Sequence, residues 1–346
     1  MRKLWDDKVS RRKLLGGAAA TSAALPVLHE LIPHQGLHGG TSSAEAAVEH
    51  HNGGAHDAAG HFGAVGRVDH KRNGFDPQTI LRDFDEGVVS GGVREWEIVA
   101  EDREIEVAPG VKYAAWTYNG RVPGPTLRAR EGERLRIRFV NGSKHPHTMH
   151  FHGIHRDLSD GIPGLGAGNI EPGHSTVYEF DASPFGLHLY HCHSTPLAEH
   201  IAKGLYGMFI IDPKAGRAAA DELVMVMNGF DTNFDRSNEV YAVNTVAFAY
   251  MNEPIRVQRG ELVRIYLVNA LEFDPLNSFH VHANFFDYYP TGTRLEPRDF
   301  TDTVIQGQGE RGILELRFPY AGKYMFHAHV SEFAELGWMG FFEVEA

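Results

Sequence analysis

The sequence predicts an all-β protein made of two tandem domains, and three observations carry that prediction. A chain of 346 residues is long enough for two domains of ordinary size, each with its own core. Its 38 glycines and 17 prolines punctuate short runs rich in Phe, Val, Tyr and Thr, as in antiparallel β proteins rather than helical bundles. The second half of the chain also copies the first.

The copy is legible residue by residue. Glu131-Gly132-Glu133-Arg134-Leu135-Arg136-Ile137-Arg138-Phe139-Val140-Asn141 is echoed by Arg259-Gly260-Glu261-Leu262-Val263-Arg264-Ile265-Tyr266-Leu267-Val268-Asn269, and both segments precede a His-x-His doublet. Pro184-Phe185-Gly186 then leads to His191-Cys192-His193, whereas Pro319-Tyr320-Ala321-Gly322 leads to His327-Ala328-His329. A glycine-rich final strand follows each. The boundary falls near Pro213–Asp221, which gives domain one residues 93–213 and domain two residues 214–346.

Ahead of the repeat, Ser10, Arg11, Arg12, Lys13 and Leu14 precede a short apolar stretch of small residues, which resembles a twin-arginine export signal. The stretch is too short for a permanent membrane anchor. Residues 1–46 are read as this signal, with cleavage after Ala44-Glu45-Ala46, and the chain is expected in the periplasm or outside the cell. Residues 47–92 are read as a flexible His/Gly-rich linker, because its His50, His51, His56 and His61 fix no ligand geometry.

A net charge of -12 argues against a nucleic-acid backbone as partner. The single cysteine, Cys192, cannot form an internal disulfide, so in an exported protein it is a buried thiol or a ligand. The 22 histidines point to metal, since imidazole is the commonest transition-metal ligand. Random placement of that many would give roughly one or two His-x-His pairs. Four of them at matched places in a repeat demand another cause. On a strand, side chains alternate faces, so His150/His152, His191/His193, His280/His282 and His327/His329 each present two imidazoles to one side.

The same alternation turns Cys192 away from His191 and His193. His147 has matching parity, three residues before His150, and His200 offers a second imidazole from the following loop. Two imidazoles and a thiolate are the donor set of blue copper. Covalent adjacency then gives electrons a path from the Cys192 sulfur to His191 and His193.

Tyr118-Asn119-Gly120-Arg121-Val122-Pro123-Gly124-Pro125-Thr126-Leu127, His147-x-x-His150-x-His152-Gly153 and His191-Cys192-His193 together resemble the multicopper oxidase family, from about residue 93 to the end of the chain. The resemblance implies two cupredoxin-like Greek-key β-sandwiches. Ala328 stands where a cysteine would be, and Leu336 near the place of His200, so blue copper is expected in domain one only. It further implies His147, Cys192 and His200 as blue-copper ligands, with Leu205 in the axial position. His150 and His280 would hold one copper of a trinuclear cluster, and His152, His191, His193, His282, His327 and His329 the coupled pair. That makes four coppers per subunit, with the cluster shared between subunits of a homotrimer.

Asp160-Gly161 resembles the family's acid near the cluster, where a carboxylate delivers protons for dioxygen reduction. His145, His155, His174 and His188 receive no ligand role. The implied reaction is one-electron oxidation of phenols or aromatic amines coupled to reduction of dioxygen to water, as in laccases. Copper nitrite reductases share the two-domain plan but carry His-Cys-Ala where this chain has His191-Cys192-His193, and aspartate where it has His150. Cuprous-ion oxidation is the other alternative, although no methionine-rich segment stands out for soft Cu(I).

Overall fold

The computed structural model describes residues 67–346; the predicted export signal and the first part of the predicted linker lie outside the described residues. Four sheets make two sandwiches. In domain one, Val93–Ala108 runs parallel to Arg134–Asn141, which pairs antiparallel with Ser175–Asp181. The facing sheet orders Thr126–Arg130, Tyr206–Asp212, Gly186–His191 and His150–Phe151. Domain two repeats the pattern: Asp221–Phe230 runs parallel to Leu262–Asn269, which pairs with Arg311–Arg317. Its second sheet sets Ile255–Gln258, Met339–Glu345, Gly322–His327, Leu276–Val281 and Thr303–Gly307 side by side. Parallel neighbours joined by long connections are what a Greek-key sandwich produces, and the two-sandwich, all-β expectation is met.

Several strands bury both faces, and that joins the domains. Along Tyr206–Asp212, Phe209 and Ile211 enter the core of domain one, whereas Tyr206, Met208 and Ile210 enter a third core between the domains. Along Asp221–Phe230, Leu223, Met225 and Met227 serve domain two, and Val224, Val226 and Phe230 meet the interdomain core. A strand buried on both sides reads as a continuous apolar run rather than an alternating one.

Residues 67–92 depart from the flexible-linker expectation. Two short helices, His70–Asn73 and Pro77–Ile80, are capped by the side chains of Asp69 and Asp76. Ile80 joins the interdomain core and Leu81 the core of domain two, both essentially inaccessible to solvent. Each such side chain contributes about 1.5–3 kcal/mol of burial. Hydrogen bonds pin the backbone: Val224 donates to the Leu81 carbonyl (2.8 Å), and the Tyr250 hydroxyl to that of Pro77 (2.8 Å). Composition flagged the glycines and histidines, but a few apolar residues decide the matter, because they fill gaps that only the folded domains create. Among the described residues, no helix is long and apolar enough to cross a membrane.

Candidate metal centre

The end of strand Gly186–His191 separates two sites. Leu187, Leu189 and His191 share the face toward domain two, while Tyr190 and Cys192 face the core of domain one. His147 lies outside the strands, fixed by a two-way backbone pairing with Ile170. His200 comes from the helix Leu197–Ala202. The three meet: Cys192 Sγ lies 3.2 Å from His200 Nδ1 and 3.8 Å from His147 Nδ1, and the two imidazole nitrogens are 3.1 Å apart. All three residues are buried.

Their surroundings hold this geometry. The Thr148 N–H donates to Cys192 Sγ (3.3 Å), and His147 Nε2 lies 2.9 Å from Ser143 Oγ, which donates to Asp102 Oδ1. Such outer contacts fix which ring nitrogen faces the metal. The Cys192 N–H donates to the Leu205 carbonyl, and Leu205 is wholly buried in the same core cluster. The Trp116 ring sits 4.7 Å from the His200 ring and 5.1 Å from that of His147. Burial first, and then the neighbouring His200, hold His147 down to about 3; burial holds His200 down to about 4. Both therefore stay neutral and able to ligate. Burial pushes the Cys192 thiol up, so metal binding must displace its proton.

Two four-histidine half-sites lie elsewhere. In domain one, His152 Nε2 and His191 Nε2 are 2.9 Å apart, with the His150 and His193 rings beside them at centroid distances of 5.1–5.4 Å. The His191 Nδ1–H donates to the Cys192 carbonyl (2.8 Å) and the His150 Nδ1–H to that of Asp160 (2.8 Å). Domain two reproduces this. His282 Nε2 and His327 Nε2 are 2.9 Å apart, His327 Nδ1 lies 2.7 Å from the Ala328 carbonyl, and His280 Nδ1 3.0 Å from that of Asp302. Even the backbone supports match: His193 N–H donates to Thr148 Oγ1 and His329 N–H to Ser278 Oγ. In His150, His191, His280 and His327, with Nδ1 tied to a carbonyl, Nε2 is left as the ligating atom.

The convergent triads each draw on one domain: His150 with His152 and His191, and His280 with His282 and His327. The domain-one set borders a cavity of about 260 Å³ that Leu271 and Glu272 of domain two help to line. The domain-two set opens to solvent, with His282 and His329 exposed. Burial raises the Glu272 carboxyl to about 7, and no motif announced that residue.

Asp160 sits against His150, with Oδ1 2.8 Å from His150 Nδ1 and 3.2 Å from His155 Nε2. The turn is set by Gly161, whose φ of 70° is left-handed and where a Cβ would collide with the Met149 carbonyl. His155 and His188 thus contact the site from behind, His188 lying 3.0 Å from the His152 carbonyl, while His145 packs on Trp116 at 4.7 Å and His174 stays exposed at the surface.

At the matched place in domain two, Asn277 replaces His147 and Ala328 replaces Cys192. The Ala328 N–H donates to the Trp338 carbonyl as that of Cys192 does to Leu205, and the buried Trp338 indole fills this core. The helix Ser331–Glu335 repeats Leu197–Ala202, and Phe333 rather than Leu336 stands at the place of His200: its carbonyl accepts from the Trp338 N–H as that of His200 does from Leu205, so an aromatic ring replaces the second imidazole. The Cys and two His donors suit copper only in domain one.

Comparison with known proteins agrees with this geometry. Profiles described as multicopper oxidase match residues 100–216 and 219–346. A crystal structure of a multicopper oxidase is 62% identical, covers 81% of this chain and 100% of that one, and superposes with a TM-score of 0.79. A blue copper oxidase from Nitrosomonas europaea is 28% identical over 73% of this chain and 86% of its own, with a TM-score of 0.66. The copper-containing nitrite reductase of Neisseria gonorrhoeae is 30% identical over 66% of this chain, which spans 62% of that relative's length. With both halves matched and a relative at 62% identity covered from end to end, the chain belongs to the multicopper oxidase family of copper-dependent oxidoreductases.

Proposed function

We propose that the protein is a laccase-like oxidase, coupling one-electron oxidation of phenols or aromatic amines to four-electron reduction of dioxygen to water. The observation that carries this reading is the doubled half-site: eight histidines, two equivalent Nε2 pairs at 2.9 Å, on matched strands of the two domains. A carrier with blue copper alone would have no use for them. His147, Cys192 and His200 would hold the blue copper and the eight histidines three more, four ions per subunit, which supply the one-electron and dioxygen chemistry.

The chain's own contribution is orientation and insulation. Carbonyl contacts aim Nε2 of His150, His191, His280 and His327, burial keeps His150, His152 and His191 neutral, and one peptide links the Cys192 thiol to the His191 ring. Leu205 offers no sulfur to the blue-copper site. Asp160 orients His150 and is the proposed proton donor.

A homotrimer with the cluster between subunits is part of the proposal, and the position of the half-sites supports it. Each convergent triad is confined to one domain, and the domain-two set faces solvent beside exposed Phe285, Phe300 and Ile305. A head-to-tail ring would bring domain one of one subunit against domain two of the next. Export by the twin-arginine route remains part of the proposal.

Nitrite reduction is a second reading, favoured by the Neisseria gonorrhoeae relative; the imidazoles of His150 and His193 count against it. Cuprous-ion oxidation is disfavoured because, among the described residues, every methionine but Met325 is buried, and Met325 lies on the domain-two strand Gly322–His327 rather than near Cys192. Copper analysis with oxygen uptake on phenols, nitrite and Cu(I) tests the proposal. Four coppers per chain and phenol-dependent oxygen consumption are expected, and nitrite turnover without oxygen uptake would overturn it.

A further inference from the structure

Arg311 begins strand Arg311–Arg317 of domain two and is partly buried, yet among the described residues it has no carboxylate partner. Burial lowers its guanidinium from the ordinary value, so keeping a charge there costs desolvation energy. Its side chain makes one hydrogen bond, from Nε to the Leu187 carbonyl of domain one at 2.8 Å. The matched position of domain one is Ser175, since Val140 pairs with Ser175 as Val268 pairs with Arg311. Ser175 is exposed at the surface. The arginine is therefore a feature of the domain junction and not of the repeat.

Domain two grips Leu187 on both sides of the residue. The Leu187 N–H donates to the Thr291 carbonyl (2.8 Å), the Thr291 N–H donates to the Arg311 carbonyl (3.0 Å), and the Arg311 Nε–H closes the ring on the Leu187 carbonyl. Two glycines permit the approach. A Cβ on Gly186 would stand 2.7 Å from the Thr291 carbonyl oxygen, and one on Gly292 would stand 3.4 Å from the Leu187 nitrogen. The Leu187 side chain lies in the interdomain core.

The clamped strand, Gly186–His191, supports the histidines of domain one. Its Leu189 carbonyl accepts from the His152 N–H (2.8 Å), His188 Nδ1 lies 3.0 Å from the His152 carbonyl, and its last residue is His191. Both members of the 2.9 Å His152–His191 pair thus hang on the strand that Arg311 holds. Domain two also reaches His152 from the side, where a Cβ on Gly309 would stand 3.7 Å from His152 Cε1. After burial, Arg311 is the next cause that holds His188 down to about 4. Cys192 has separate supports within domain one, the Thr148 N–H on its Sγ and the Leu205 carbonyl on its N–H.

We propose that Arg311 of domain two is a positioning residue for the four histidines of domain one, acting through the Leu187 carbonyl and the strand that carries His191. The inference rests on the reading that these histidines hold copper. A neutral donor could reach the same carbonyl with less desolvation. The guanidinium instead gives a charge-assisted bond, roughly twice as strong as a neutral one, from a planar and rigid donor. Domain two thereby does more than supply its own half-site, because it also sets the geometry of the half-site in domain one of the same chain.

The test uses the copper-loaded protein with Arg311→Met, which removes donor and charge at similar length, and Arg311→Lys, which keeps a cation and a donor. Amide exchange over residues 184–190, read by mass spectrometry, should rise about tenfold in Arg311→Met, the loss of one hydrogen bond. In Arg311→Lys it should stay within about twofold of the parent. Copper content and the paramagnetic signal of histidine-held copper should change in Arg311→Met alone, while the blue absorption of the Cys192 site persists. Unchanged exchange and an unchanged copper signal in Arg311→Met overturn the proposal. So does a proportional loss of blue absorption, or a lysine variant as impaired as the methionine one. Should Arg311→Met not fold, Arg311→Gln, with a neutral donor, is read in the same way. If the histidines of the parent protein bind no copper, the oxidase reading fails instead, and the exchange comparison still decides whether Arg311 holds the strand.

Discussion

His191 and Cys192 are consecutive residues that serve different sites. His191 Nε2 lies 2.9 Å from His152 Nε2 on the face toward domain two, while Cys192 Sγ lies 3.2 Å from His200 Nδ1 in the core of domain one. The His191 Nδ1–H also donates to the Cys192 carbonyl at 2.8 Å. A single peptide unit and a hydrogen bond therefore connect the Cys192 site with the domain-one four-histidine set, the two places between which the proposed function moves electrons.

Cys192→Ser should abolish the intense blue absorption and oxidase activity and leave a folded protein, because only a thiolate supplies the strong sulfur-to-copper charge transfer. Absorption retained near the parent intensity would refute the ligand assignment.

Leu205→Met should lower the blue-copper reduction potential, since a thioether approaching the axial side stabilises the oxidised ion. Leu205 is fully buried and its carbonyl accepts from the Cys192 N–H, so the new side chain has little freedom to turn elsewhere. Redox titration with an unchanged or raised potential would show that Leu205 is not axial.

Asp160→Asn leaves the carbonyl contact to His150 in place and removes only the carboxylate shared by His150 and His155. Turnover with dioxygen should slow by about tenfold, while reduction of the blue copper by substrate stays near the parent rate. Stopped-flow traces showing equal losses in both half-reactions would leave only a turn-forming role.

Co-expression tests the shared cluster. His191→Ala and His327→Ala chains should each be inactive, and trimers containing both should recover some activity, because one interface then holds all eight histidines. Absence of recovery in demonstrably mixed trimers would place each cluster within one chain.

The copper-free protein should be acid-labile. Burial holds His147 and His152 down to about 3 and His191 and His200 down to about 4, against about 6.5 when unfolded. Between these limits the unfolded chain binds more protons, so stability is fully present above about 6.5 and falls as pH drops. The slope is at most about 1.4 kcal/mol per pH unit for each histidine. Denaturant midpoints at about pH 7 and about pH 5 should differ in that sense, and equal midpoints would contradict it.

The sequence by itself determined what depends on local periodicity. The repeat placed matched strands in both domains, two-residue alternation put His191 and Cys192 on opposite faces, and Ala328 announced that domain two lacks the thiolate. Tertiary structure alone decided which faces meet. Strand Tyr206–Asp212 is apolar on both sides, and nothing along its length says that one side packs on the other domain. Phe75, Ile80 and Leu81 looked like stray apolar residues in a linker until the folded domains offered cavities for them. The approach of Glu272 to the domain-one histidines, and the placing of the two half-sites apart from each other, depend on residues far apart in the chain. Alternation fixes the direction of a side chain; the partner it meets is set by how the sandwiches pack, through contacts that no short window of sequence contains.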